Sequence, residues 1–208
     1  MFAFDSALTP AEWSALLLLA TASSFTPGPN TALSAAMGAN RGWRSALPFI
    51  SAVPFGCGLI FTLCALGVGG LLHEFPALRS ALLLGGVGYL AWLASKLWRS
   101  QHLREAQNSD LSIGFGQGVV LQFLNIKVWM LELSFVAGWL AGHAAFWSRF
   151  AAILPVVLVF ALTSNLTYAW VGSALRHWLA QGQRLMVFNR VMATALALTA
   201  AWMLRGLA

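Results

Sequence analysis

From Trp13 to Asn40 the chain carries no Asp, Glu, Lys or Arg, and the same is true from Ser45 to Leu72, Ser80 to Ser95, Leu133 to Ser148, Phe150 to Leu175 and Val191 to Leu204. A bilayer core about 30 Å thick takes about 20 helical residues to cross, and the longer runs exceed that. Hydrophobic residues make up 59% of the sequence and charged residues 9%, where a soluble domain is about a quarter charged. Mean hydropathy is +0.75. Lipid rather than water is therefore the main solvent of this surface. A chain of 208 residues then has room for little besides its spans. Residues 1–208 are read as one transmembrane domain of all-α class, without a soluble catalytic module.

Leu16 to Leu19, followed by Ala20 and Ala22, resembles the apolar core and cleavage site of a secretory signal. Residues 1–12 argue against that reading, because they hold Asp5 and Glu12 but no Lys or Arg. Spans are expected near residues 12–38, 45–72, 78–98, 114–140, 150–175 and 186–205, giving a polytopic bundle of six transmembrane helices. The second run is longer than a straight span needs and should tilt, or bend near Pro54, Gly56 and Gly58. The fourth is rich in Gly and Gln from Leu111 to Asn125 and is interrupted by Lys127 and Glu132. Splitting it would give seven spans.

Cytoplasmic loops accumulate Lys and Arg. With six spans, one side collects Arg41, Arg44, Lys96, Arg99, Arg104, Arg176, Arg184 and Arg190; the other holds Arg79, Arg149 and Arg205. The richer side is assigned to the cytoplasm. Both termini then fall on the periplasmic, extracytoplasmic side, and a cytoplasmic loop over about 97–112 joins two halves, about 1–98 and 112–208. The net charge of +6 is accounted for by this asymmetry and by anionic lipid headgroups, with no nucleic-acid partner. Small residues at four-residue spacing, such as Ser34 and Gly38, Ala52 and Gly56, and Gly114 and Gly118, let helix backbones approach closely.

Thr26-Pro27-Gly28-Pro29-Asn30 lies in the middle of the first apolar run. Each proline removes a backbone N–H and clashes with a preceding carbonyl, so no regular helix passes through. Inside a bilayer, freed carbonyls are tolerated only where protein or a water-filled cavity satisfies them. The alternative is a plain loop between two shorter segments. Gln122-Phe123-Leu124-Asn125-Ile126-Lys127 and Glu132 form a second constellation, because ionisable residues inside an apolar segment are costly and by default functional. In an unbroken helix Asn125 and Glu132 share a face and Lys127 points away; a break at Asn125 would undo that geometry. Against function, Lys127 could snorkel to an interface and Glu132 could sit near the outer side, in solvent or in a structural ion pair. Ser164, Asn165, Thr167 and Tyr168 either line a polar path or bond between helices. Cys57 and Cys64 read as small core residues, with no His or acid beside them in sequence to complete a metal site; no cofactor is expected.

Each half has three spans, and each leading span carries an Asn-containing interruption, at Asn30 and at Asn125. Three is odd, so the second half enters the membrane from the opposite side. This is the pattern of inverted three-helix repeats with a site where the interruptions meet.

Thr26-Pro-Gly-Pro-Asn30, Gly88-Tyr89-Leu90-Ala91-Trp92-Leu93-Ala94-Ser95-Lys96 and Gln122-Phe-Leu-Asn-Ile-Lys127 together resemble the LysE/RhtB family of amino-acid exporters. The Gln-Phe-x-Asn-x-Lys form resembles its cysteine/O-acetylserine efflux subgroup. Much of the family has Asn-Pro-Lys where this chain has Asn125-Ile126-Lys127, so a softer interruption is expected there. The resemblance implies six helices, an inner-membrane location and export of amino acids or related metabolites coupled to proton entry. It carries over to Pro27, Gly28, Pro29, Asn30, Asn125 and Lys127; Thr26, Gln122 and Glu132 complete the expected transport site from their own chemistry. A homo-oligomer is compatible with this reading. An intramembrane enzyme is not expected, since no span holds a nucleophile with a base in reach; a channel or a non-transporting assembly protein are the remaining rivals.

Overall fold

The computed structural model describes residues 8–68, 74–100 and 113–204. The charge at Arg104, that at Arg205, and the expected end of the second span beyond residue 68 lie outside the described residues. Nine α-helices are present among them: α1 (Pro10–Phe25), α2 (Pro29–Arg41), α3 (Leu47–Ala65), α4 (Pro76–Arg99), α5 (Phe115–Leu124), α6 (Ile126–Phe135), α7 (Phe146–Ala174), the short α8 (Arg176–Leu179) and α9 (Arg184–Leu204). A 3-10 turn, Trp43–Ala46, leads into α3, and a π-helical turn, Val136–Leu140, extends α6. No strand occurs among the described residues.

Four helical segments are long and apolar enough to cross a bilayer: Trp43–Ala65, Ser80–Arg99, Phe146–Ala174 and Arg184–Leu204. A fifth results if α5 and the extended α6, which meet at 70°, form one broken span. The expected six is thus four to five on length and composition alone. The shortfall has a plain cause. The first apolar run is divided into helices of 16 and 13 residues, about 24 and 20 Å long, neither of which crosses by itself. The chain is a multi-pass membrane protein with an apolar exterior, where Leu18, Phe55, Leu84, Trp147, Val159, Trp170 and Leu198 are exposed. Its polar side chains turn inward: Ser34, Asn40, Gln122, Asn125, Glu132, Ser164, Asn165 and Asn189 are all buried.

α2 packs most extensively on α7, α4 on α9, and α3 on both α5 and α7. The α2–α7 crossing depends on two glycines. A Cβ on Gly38 would lie 2.1 Å from the carbonyl oxygen of Ala169, and one on Gly172 would lie 2.2 Å from that of Ala35. Only bare backbone allows these helices to come so close. The spacing expectation at Ala52 and Gly56 also has a structural counterpart: Gly118 rests on Ala52, and Gly56 faces the Gln122 side chain. α3 continues through Pro54 without interruption. Apolar packing of Leu16, Phe49, Ile60, Phe61, Phe135, Ile153 and Leu196 fills the interior.

Polar ties hold the bundle at both ends. At one, Glu12 and Arg149 form an ion pair at 2.7 Å, while Arg149 also donates to the Trp139 carbonyl and the Trp139 indole to the Glu12 carbonyl. At the other, the Asn40 and Asn189 amides exchange hydrogen bonds at 2.8 and 3.0 Å, and Asn189 donates to the Ser100 carbonyl.

Candidate functional site

α1 starts with a Thr9/Glu12 capping box and Pro10 in its first turn, a strong start signal. It stops where Pro27 and Pro29 can donate nothing to the carbonyls of Ser23 and Phe25. Two of the carbonyls at the break, those of Phe25 and Thr26, are met from other helices. Thr26 donates through both its amide and its hydroxyl to the Ala22 carbonyl. The Tyr168 hydroxyl donates to the Phe25 carbonyl at 2.8 Å, and Lys127 Nζ donates to the Thr26 carbonyl at 3.0 Å. α2 then restarts with Pro29 in its first turn, Gly28 N–H donating to the Thr31 hydroxyl at 2.9 Å.

The second interruption is made by one residue. Asn125 takes an extended conformation (φ −93°, ψ 97°), closing α5 and opening α6, whose Lys127 N–H donates to its side-chain oxygen at 3.2 Å. With Ile126 rather than proline after Asn125, the two helices still meet at 70°. A side chain that caps the next helix replaces the missing proline as the cause.

The two breaks meet. Besides the Lys127–Thr26 contact, the Asn30 and Gln122 amides pair reciprocally at 2.7 and 3.3 Å, and Gln122 also donates to the Gly118 carbonyl at 2.9 Å. Ser34 donates to Asn165 Oδ1 at 2.9 Å, joining α2 to α7. Beside them lies a cavity of about 60 Å³, bounded by both breaks and reached by Glu132, Cys57 and Asn165. That is room for a few ordered waters. The N-termini of α2 and α6, the positive ends of their dipoles, both open on it.

Of the expected site residues, Thr26, Gly28, Pro29, Asn30, Asn125, Lys127 and Glu132 line the cavity. Gln122 stands behind Asn30 as its partner. Pro27 is exposed and shapes the break without lining it. Among the described residues Glu132 forms no ion pair: it is 1% exposed, and its buried Oε2 has no hydrogen-bond partner there. Because α6 begins anew at Asn125, the face shared in an unbroken helix does not govern where these side chains go; Glu132 and Lys127 reach one cavity all the same. Ser23, Ser24, Thr31 and Cys57 join the lining without having been singled out as transport residues. The serines look like ordinary small helix residues in sequence, but they fall in the last turn before a break, where side chains face the opening. No group of three or more His, Cys, Asp and Glu is placed to hold a metal ion among the described residues.

A family model described as LysE type translocator matches residues 21–206. A homoserine/homoserine lactone efflux protein of Salmonella typhimurium (strain LT2) is 31% identical over 88 residues, which cover 42% of this chain and 43% of the relative. A protein of the same description from Salmonella typhi gives the same identity and coverage. The chain therefore spans less than half the length of the curated relatives it matches. No solved structure matches it. The matching family and the relatives are transporters and not enzymes, in agreement with the expectation from sequence.

Proposed function

Since the chain belongs to the LysE type translocator family, we propose that it is a secondary active exporter of amino acids or closely related metabolites across the inner membrane, driven by proton entry. In this reading α1 with α2 forms one broken span and α5 with α6 another, giving six. The halves, about 1–98 and 112–208, are inverted repeats with both termini periplasmic and the connecting loop cytoplasmic. The observation that carries the proposal is the meeting of two helix breaks around a lysine and a small cavity that Asn30, Asn125 and Glu132 also line. Broken helices paired in this way are how secondary transporters present dipole ends and backbone groups to a substrate.

The chemistry follows from the parts. A carboxylate entering from the cytoplasm meets the N-termini of α2 and α6 and the Lys127 ammonium, which has two donors left beyond the one on Thr26. The Asn30 and Asn125 amides offer donors and acceptors together. An amino acid is larger than a few waters, so loading requires the two halves to part and release to the other side requires them to part again. The homoserine/homoserine lactone relatives make homoserine the first compound to try, with cysteine and O-acetylserine next. Reconstituted protein should move at least one of them across a vesicle membrane in proportion to an imposed pH gradient, saturating with concentration. A flux that ignores the gradient, or does not saturate, would refute proton-coupled export.

A further inference from the structure

Glu132 and Lys127 are the two charged residues in the cavity lining, and no ion pair joins them. Lys127 instead turns its ammonium to the Thr26 carbonyl. Glu132 is almost wholly buried with Oε2 unpartnered. From α3, packed against α6, the one titratable group reaching the same cavity is the Cys57 thiol, which brings no positive charge. An acid buried with no cation is expensive, and glutamine or leucine would fill the space at lower cost. A structural acid would be paired. Lys127 is committed to a carbonyl of the first break, whereas Glu132 comes from more than a turn further along α6, so the two charges enter the cavity from different positions on the helix.

We infer that Glu132 is the ammonium-binding residue of this transporter, opposite Lys127 at the carboxylate end, and that its substrates are metabolites bearing both a free amino group and a carboxylate. This rests on the export reading above and narrows it. The cavity is then a two-ended recognition site: helix N-termini and Lys127 take the anion, and Glu132 takes the cation. A compound lacking its amino group leaves Glu132 unmatched in an apolar wall, and the site rejects it for that reason.

The full chain, purified in detergent, tests this with homoserine and cysteine set against γ-hydroxybutyrate and β-mercaptopropionate, the same molecules without the amino group. Wild-type protein should prefer the amino compounds by on the order of 10- to 100-fold in Kd, the worth of a hydrogen bond to a charged group. In Glu132→Gln the preference should collapse to near parity, through weaker binding of the amino compound alone. A preference that survives in Glu132→Gln overturns the assignment and leaves export intact. A wild-type protein that binds neither class overturns the export reading and this one with it. A second measurement needs no variant: homoserine should slow dicyclohexylcarbodiimide labelling of Glu132 and γ-hydroxybutyrate should not. Equal protection by both, or none by either, also overturns it.

Discussion

Lys127 Nζ lies 3.0 Å from the carbonyl oxygen of Thr26, a residue 101 positions away in sequence. The contact joins the second helix break to the first. It also gives the half-buried ammonium a partner other than a carboxylate, since the break leaves that carbonyl without a helical donor. Lys127→Met keeps the apolar stem and removes the charge. Export per reconstituted molecule should fall at least about tenfold while the protein still accumulates in the membrane. Gradient-driven flux at matched protein density checks both.

Gly28 separates the effects of site and fold. A Cβ there would stand 3.2 Å from Lys127 Nζ and 3.4 Å from its Cδ, the flexible end of a side chain that can yield by a few tenths of an ångström. Gly28→Ala should therefore leave the melting temperature within a few degrees of wild type and lower the export rate by displacing Lys127. A melt alongside the flux assay distinguishes this from general damage.

The first break was legible because two prolines and a glycine permit no regular helix there, leaving a broken span or a loop between two shorter segments. The second was less so. Ile126 hides it, and the interruption rests on Asn125 capping the helix that follows, a role that any asparagine can fill and few in mid-span do. Glu132 could not be placed at all, since five residues from Lys127 it reads equally well as interfacial or interior. Only the bend at Asn125 and the packing of α3 decide that it is buried. Cys57 reads as core and is core; that it also borders the cavity was not legible, because the polar groups there come from other helices, α2, α6 and α7 among them. The shortfall in span count has the same origin as the site: helices interrupted to build a cavity no longer look like spans.

Asn30 and Gln122 act as a unit. Each amide both donates to and accepts from the other, and Gln122 is fully buried, so removing Asn30 leaves the Gln122 side-chain oxygen unmet and removing Gln122 leaves Asn30 only the cavity to turn to. Asn30→Ala and Gln122→Ala should each destabilise the protein by about 1–3 kcal/mol. The double variant should lose less than the sum, with a coupling of about 0.5–3 kcal/mol. Denaturation of the four proteins in one detergent measures it.

Gly172→Ala is the opposite case to Gly28→Ala. Its new Cβ would fall 2.2 Å from the Ala35 carbonyl oxygen and 3.0 Å from the Ala39 nitrogen. Both are backbone atoms of α2, so α2 and α7 would have to move apart. Overpacking of this kind costs about 1–3 kcal/mol or more. Folded yield and melting temperature should drop sharply, and flux per surviving folded molecule should fall with them, because α2 carries Asn30 and the break. A yield equal to that of wild type would mean that the crossing is looser than its geometry.

Glu12 and Arg149 give the last prediction, and its size depends on where the pair sits. Arg149 is 11% exposed and Glu12 28%, between a surface pair worth about 0–1 kcal/mol and a buried one whose rupture costs about 3–5 kcal/mol. Arg149 has a second acceptor in the Trp139 carbonyl, and Glu12 keeps its Thr9 cap, so neither is stranded when the other is replaced. The pair therefore behaves as a surface one, and losing it should lower the melting temperature by only a few degrees. Glu12→Gln and Arg149→Met should each lower the melt by about that much, and the double variant by hardly more than the worse single one. Additive losses would show that capping of α1 and packing of Arg149 matter separately, and that the ion pair itself contributes little to holding α1 on α7.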